Sequence, residues 1–257
     1  MQWYVIFKKE ILENWRNMKW IWVPIVFILF AVMDPITTYY LPKIMDAVGG
    51  IPEGAVVDIP MPNANEAILM SFNELGLLGV LITVVIAMGV ISGEMKSGVY
   101  ELILSKPVKY TNYVSAKFMS LALIVFLSIF LAVVAGWYYV SLLFGSIDFT
   151  KILTSILFFS LYFALIIGIV IMVNTWVQSP GVVAFLSLII IIALNVLTSI
   201  YGHIFTWSPA LIGDYIGEYL HSGVLSTEIW YSALMAVIFT FACIQFAILT
   251  LKNRALQ

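Results

Sequence analysis

Charge is scarce in this chain. Twelve lysines and arginines and fourteen aspartates and glutamates make up only 10% of the 257 residues, against about a quarter in a soluble domain. So little charge cannot coat the surface of a water-soluble fold of this size. Cysteine is scarcer still: Cys243 stands alone, which excludes an intramolecular disulfide and a multi-cysteine metal site. The two histidines, His203 and His221, lie close together, and no H-E-x-x-H is present. Cys243 has no histidine near it in sequence to act as base. No catalytic residue and no metal ligand is therefore expected. An intramembrane enzyme ranks last among the functions considered.

What the chain has is apolar residues, 63% of the total, with a mean hydropathy of +1.06. A helix crossing a bilayer core of about 30 Å needs roughly 20 mostly apolar residues. Six such windows occur, at 20–40, 68–92, 114–144, 152–177, 182–201 and 229–251. The third is long enough to tilt or to project from the membrane. Basic residues precede the first window as in a secretory signal, but its length and the lack of a small-x-small cleavage site favour a retained span. The expected fold class is an all-α polytopic membrane protein with residues 1–257 forming a single transmembrane domain.

Placement of the few cations sets the orientation, because cytoplasmic loops hold an excess of lysine and arginine. Lys8, Lys9, Arg16 and Lys19 precede span 1, Lys96, Lys106, Lys109 and Lys117 fall between spans 2 and 3, and Lys252 and Arg254 close span 6. All ten share one side of a six-span chain; only Lys43 and Lys151 fall opposite. Both termini are expected to be cytoplasmic. Residues 1–19 alternate Trp3, Ile6, Phe7, Ile11, Leu12 and Trp15 with charges at helical spacing, as an interfacial helix in the headgroup layer would. The first outer loop carries Pro42, Pro52, Pro60, Pro62 and a Gly49, Gly50, Gly54 cluster, so regular structure there should be short. Between spans 5 and 6, Ser208-Pro209 is a helix start and Gly223 a stop, which predicts a short outer helix or re-entrant segment.

One polar interruption stands out: ISGEMKSGVYELILSKPVKYTNYVSAKF, residues 91–118, between two strongly apolar runs on the cytoplasmic side. From Ser97 to Ser105, Val99, Leu102 and Ile103 share a helix face and Glu101 points away from it. Pro107 ends that helix, and Thr111 or Asn112 offers an N-cap for span 3. The segment resembles the inner loop of the type-2 ABC exporter permeases. The matching features are an acidic residue closing span 2, a basic-x-Gly-x-x-Glu-Leu run, a Ser-x-Pro turn and a lysine opening span 3, with Val99 where that family often has threonine.

The resemblance implies a cytoplasmic coupling helix between spans 2 and 3 that docks on a separate ABC ATPase subunit. The contact residues it implies are Glu94, Lys96, Val99, Tyr100, Glu101, Leu102, Leu104 and Lys106. The chain has no G-x-x-x-x-G-K-[ST] phosphate cradle, so ATP and Mg would sit on the partner and this chain would bind no cofactor directly. The family further implies two ATPase copies, a second permease subunit as homodimer or pseudo-dimer, export across a bacterial plasma membrane, and no nucleic-acid partner. Its pathway runs between the two permease halves. The competing function is a membrane scaffold or sensor that transports nothing.

Ionisable groups within spans are expensive, at roughly 2.5–3.5 kcal/mol each. Asp34, with Pro35 beside it, and Glu74 are therefore candidate pathway residues near the outer side, together with Asn195. Asn174, Gln178, Asn195 and Gln245 also suit interhelical hydrogen bonds.

Overall fold

The computed structural model describes residues 2–48, 61–99 and 108–254. Among these the protein is helical without strands, and six helices are long and apolar enough to cross a membrane. Helix α1 (Gln2–Arg16) ends at a reversal through Met18, whose φ of 57° is left-handed. Span 1 is α2 (Lys19–Val48). Span 2 is assembled from α3 (Ala64–Glu74), a π turn (Leu75–Gly79), α4 (Val80–Ala87) and, after a break, α5 (Ser92–Lys96). Spans 3, 4 and 5 are α6 (Tyr110–Leu143), α7 (Phe149–Asn174) and α8 (Pro180–Tyr201). A 3-10 turn (Pro209–Leu211) and α9 (Ile212–Ser222) lead to span 6, α10 (Thr227–Arg254).

Span 4 is the hub. It packs against spans 2, 3, 5 and 6 and against α9, while span 1 lies along span 3. Aromatic rings key these helices together: Phe72 meets Phe159 edge-on at 5.2 Å, and Phe27 reaches Phe163 at 6.2 Å. Spans 1 and 5 instead carry apolar residues outward, including Ile25, Leu29 and Met33 on one and Phe185, Ile189 and Ile192 on the other. Lipid tails are as apolar as such surfaces, so exposure of this kind carries no penalty in a bilayer.

Span 1 continues to Val48 through Pro24, Pro35 and Pro42, farther than the proline content of the first loop predicts. A proline removes one N–H and leaves the carbonyl four residues earlier without its donor. For Pro35 that carbonyl belongs to Ala31, and the Ser71 hydroxyl from span 2 donates to it at 2.5 Å. Gly136 of span 3 closes over the same point; a Cβ there would lie 3.1 Å from Ser71 Oγ and 3.4 Å from the Ala31 carbonyl. Neighbouring helices thus resatisfy the freed backbone and let the helix continue.

Other ends differ from expectation too. Span 3 starts at Tyr110 with Lys109 in the N-cap position and no side-chain cap, one turn earlier than a Thr111 or Asn112 cap would give. Tertiary contacts hold that first turn: Tyr113 is fully buried and Ser115 receives a bond from Trp3. Between spans 5 and 6 the expected signals operate, with the Ser208 side chain accepting from Ala210 N–H and Gly223 at φ 74° ending α9.

Candidate functional site

Burial on α1 is inverted. Its apolar Tyr4, Val5, Leu12 and Trp15 are exposed, whereas Glu10 and Asn14 are buried against span 3. Three side-chain bonds run along this seam: Trp3 Nε1 donates to Ser115 Oγ at 3.1 Å, Lys117 Nζ to Glu10 Oε1 at 2.8 Å, and Asn14 Nδ2 to Ser120 Oγ at 2.9 Å. A helix that exposes Tyr4, Val5, Leu12 and Trp15 together with Lys8, Glu13 and Arg16 suits a bilayer interface.

Lys117 is the centre of this seam. Only 1% of its side chain is accessible, and it bridges Glu10 and, at 2.9 Å, Glu94 at the end of span 2. Glu94 also accepts from the Tyr113 hydroxyl and pairs with Lys9, which reaches Glu10 at 3.0 Å and Glu13 at 3.1 Å. Carboxylate oxygens of Glu10, Glu13 and Glu94 lie within 4.8 Å of one another, and two lysines offset their mutual repulsion. Burial alone would lower the Lys9 pKa, but Glu10 and Glu94 outweigh it and hold the ammonium above the usual lysine range. A buried lysine alone would be prohibitive; flanked by two carboxylates it is tolerated and geometrically specific.

Directly above Glu94, span 2 is broken at residues 88–91, and Asn174 spans the break. Its Oδ1 accepts from the N–H groups of Ile91 (3.3 Å) and Ser92 (3.1 Å), while its Nδ2 donates to the Ala87 carbonyl at 3.1 Å. One fully buried amide from the last residue of α7 therefore serves both sides of the interruption. Lys19 Nζ adds a bond to the Ile86 carbonyl at 3.1 Å. From span 6, Arg254 donates to the Trp176 carbonyl at 2.7 Å and touches Met95 Sδ at 3.6 Å.

Past Lys96 the chain turns through Gly98, at φ 74°, and is helical again at Val99. This left-handed turn separates α5 from Val99, where continuous helix from Ser97 is the sequence expectation. Lys96 and Val99 are exposed. Glu94, expected to face a partner, points into the ion cluster with its side chain 11% accessible. Tyr100, Glu101, Leu102, Leu104 and Lys106, expected to contact a partner, lie outside the described residues, as do residues 49–60 of the expected first outer loop.

Residues 4–218 match the family described as ABC-2 family transporter protein. The chain belongs to that family. A relative is the transmembrane protein YxlG of Bacillus subtilis (strain 168), 28% identical over 207 residues that cover 80% of each chain. An ABC-2 family member is a membrane component of a transporter, and six apolar helices make this one a multi-pass membrane protein.

Of the ABC-2 chain's three candidate pathway residues, two lie near each other and the third apart. Asp34 and Glu74, on spans 1 and 2, come within electrostatic reach of one another, and neither has a hydrogen-bond or ion-pair partner among the described residues. Asn195 lies elsewhere, on span 5, with its Nδ2 donating to the Tyr162 hydroxyl at 3.0 Å and to the Ile191 carbonyl at 2.8 Å. Sequence reading missed the cluster around Lys117 and Glu94. Glu10 and Asn14, one turn apart on α1, are polar residues whose burial only the packing against span 3 decides.

Proposed function

We propose that this chain is the permease subunit of an ATP-binding cassette exporter in a bacterial plasma membrane, moving its substrate with energy from a separate ATPase. Two ATPase copies, holding ATP and Mg, would serve a homodimer or pseudo-dimer of permeases whose termini are cytoplasmic. Lys96 through Lys106 is the docking segment in this reading. Membership of the ABC-2 family supports it, and so does the missing phosphate cradle.

The observation that carries the mechanism is Lys117 bridging Glu10 and Glu94. It ties both stems of the inner loop and α1 into one mount. Closure of the ATPases on ATP would push the docking segment, and a mount of this stiffness would pass the displacement to spans 2 and 3 rather than absorb it. The break at residues 88–91 is where span 2 would bend, because the regular helix is interrupted there and side-chain bonds from Asn174 take over the N–H groups of Ile91 and Ser92.

Co-purification with the cognate ATPase tests this. Glu101→Lys with Leu102→Asp abolishes co-purification while membrane insertion persists; unchanged co-purification overturns the docking role. An ATPase that co-purifies but never changes rate with any cargo points to a scaffold or sensor instead.

A further inference from the structure

A cavity of about 440 Å³ lies between spans 2, 4 and 5 beneath α9, within the range of small-molecule sites. Its formation has a local cause. The π turn at Leu75–Gly79 widens span 2, and such turns recur where helices serve a function. On one side of this turn Phe27 and Phe163 press against Gly79, where a Cβ would meet both rings at 3.4 Å. Gly76 lines the cavity instead, and a Cβ there would meet nothing within 4 Å.

The walls are mostly apolar, with the Phe72 and Phe159 rings among them, and their polar groups are the Asn73 and Asn195 amides, the Tyr162 hydroxyl and the Asp214 carboxylate. Asp214 is the one charged residue lining the cavity among the described residues, and it has no hydrogen-bond or ion-pair partner among them. It is exposed, at the mouth. Asn195 has donated its Nδ2 to Tyr162 and Ile191, so its remaining capacity is that of an acceptor. A carboxylate above aromatic rings favours an ammonium group. A single carboxylate is too few for a divalent ion, which takes several oxygen ligands.

We propose that this cavity binds an amphipathic monocation, an apolar body carrying one protonated amine that pairs with Asp214 at the mouth. The inference deepens the transport reading, on which it rests for calling the ligand a substrate; binding itself requires no ATPase.

Dansylcadaverine, with its N-acetylated form as the uncharged comparison, is titrated by fluorescence against the full-length protein in lipid nanodiscs. The amine is expected to bind about fivefold tighter than the acetylated form, the size of one partly solvated charge pair. Asp214→Asn removes that advantage and leaves binding of the acetylated form unchanged. Gly76→Leu, which grows a side chain into open space, abolishes binding of both while thermal unfolding remains cooperative; if it does not fold, the Asp214→Asn comparison decides. Equal affinity for the two forms, or an Asp214→Asn variant that keeps the preference, overturns the assignment. Failed binding with intact ATPase co-purification removes this site alone, whereas specific binding without ATPase co-purification removes the transport reading alone.

Discussion

Lys117 and Glu10, 107 residues apart in sequence, form a 2.8 Å ion pair in the buried seam between span 3 and the N-terminal helix. Their pairing ties α1 to the first turns of span 3 and, through Glu94, to the end of span 2.

Lys117→Met should therefore do more than delete a surface bond. It leaves Glu10 and Glu94 close together, buried and short of one cation, and removing one partner of a buried pair costs about 3–5 kcal/mol. Thermal unfolding in detergent should show the loss, and a cysteine pair at positions 3 and 115 should cross-link less readily. Lys117→Arg, which keeps the charge, should recover most of both. Wild-type cross-linking in Lys117→Met would show that the pair does not position α1.

Asn174→Leu should loosen span 2 without touching its apolar packing. The N–H groups of Ile91 and Ser92 lose their partner, each at about 1–3 kcal/mol if water cannot reach them. Hydrogen exchange should accelerate at Ile91 and Ser92, with α3 unaffected. Uniform exchange across span 2 would argue against a local hinge.

A double-mutant cycle tests the Pro35 contact. Ser71→Ala alone strands the Ala31 carbonyl, at about 1–3 kcal/mol. With Pro35→Ala the backbone supplies its own donor, so Ser71→Ala in that background should cost clearly less. Equal losses in both backgrounds would mean that the serine acts by packing alone.

The raised Lys9 pKa has a direction in pH. Because the folded value exceeds the unfolded one, 10.5, its stabilisation is complete below 10.5 and fades as pH climbs through the folded value. Attachment of α1, followed by Trp3 fluorescence, should persist up to the ordinary lysine range and weaken above it. Lys9→Gln should flatten that part of the profile; an unchanged profile would assign it to other groups.

Six hydrophobic windows were readable because hydropathy depends on composition over about 20 residues and on nothing distant. Ser208 and Gly223 were readable for a related reason: caps act within a turn. The length of span 1 was not. Pro35 and Pro42 argue locally for a break, and the Ser71 hydroxyl and bare Gly136 that accommodate Pro35 come from two other spans.

Glu94 makes the same point for the site. In sequence it is one acid beside a basic loop, equally suited to a partner's cation or to its own chain's. Its occupation by Lys117, Lys9 and Tyr113 depends on helices far apart in sequence meeting at one end of the bundle. Strings of residues carry short-range rules such as apolar length, charge sidedness and helix caps. Pairings of buried polar groups follow only from packing, because the penalty for leaving them unmet is felt once water has been excluded.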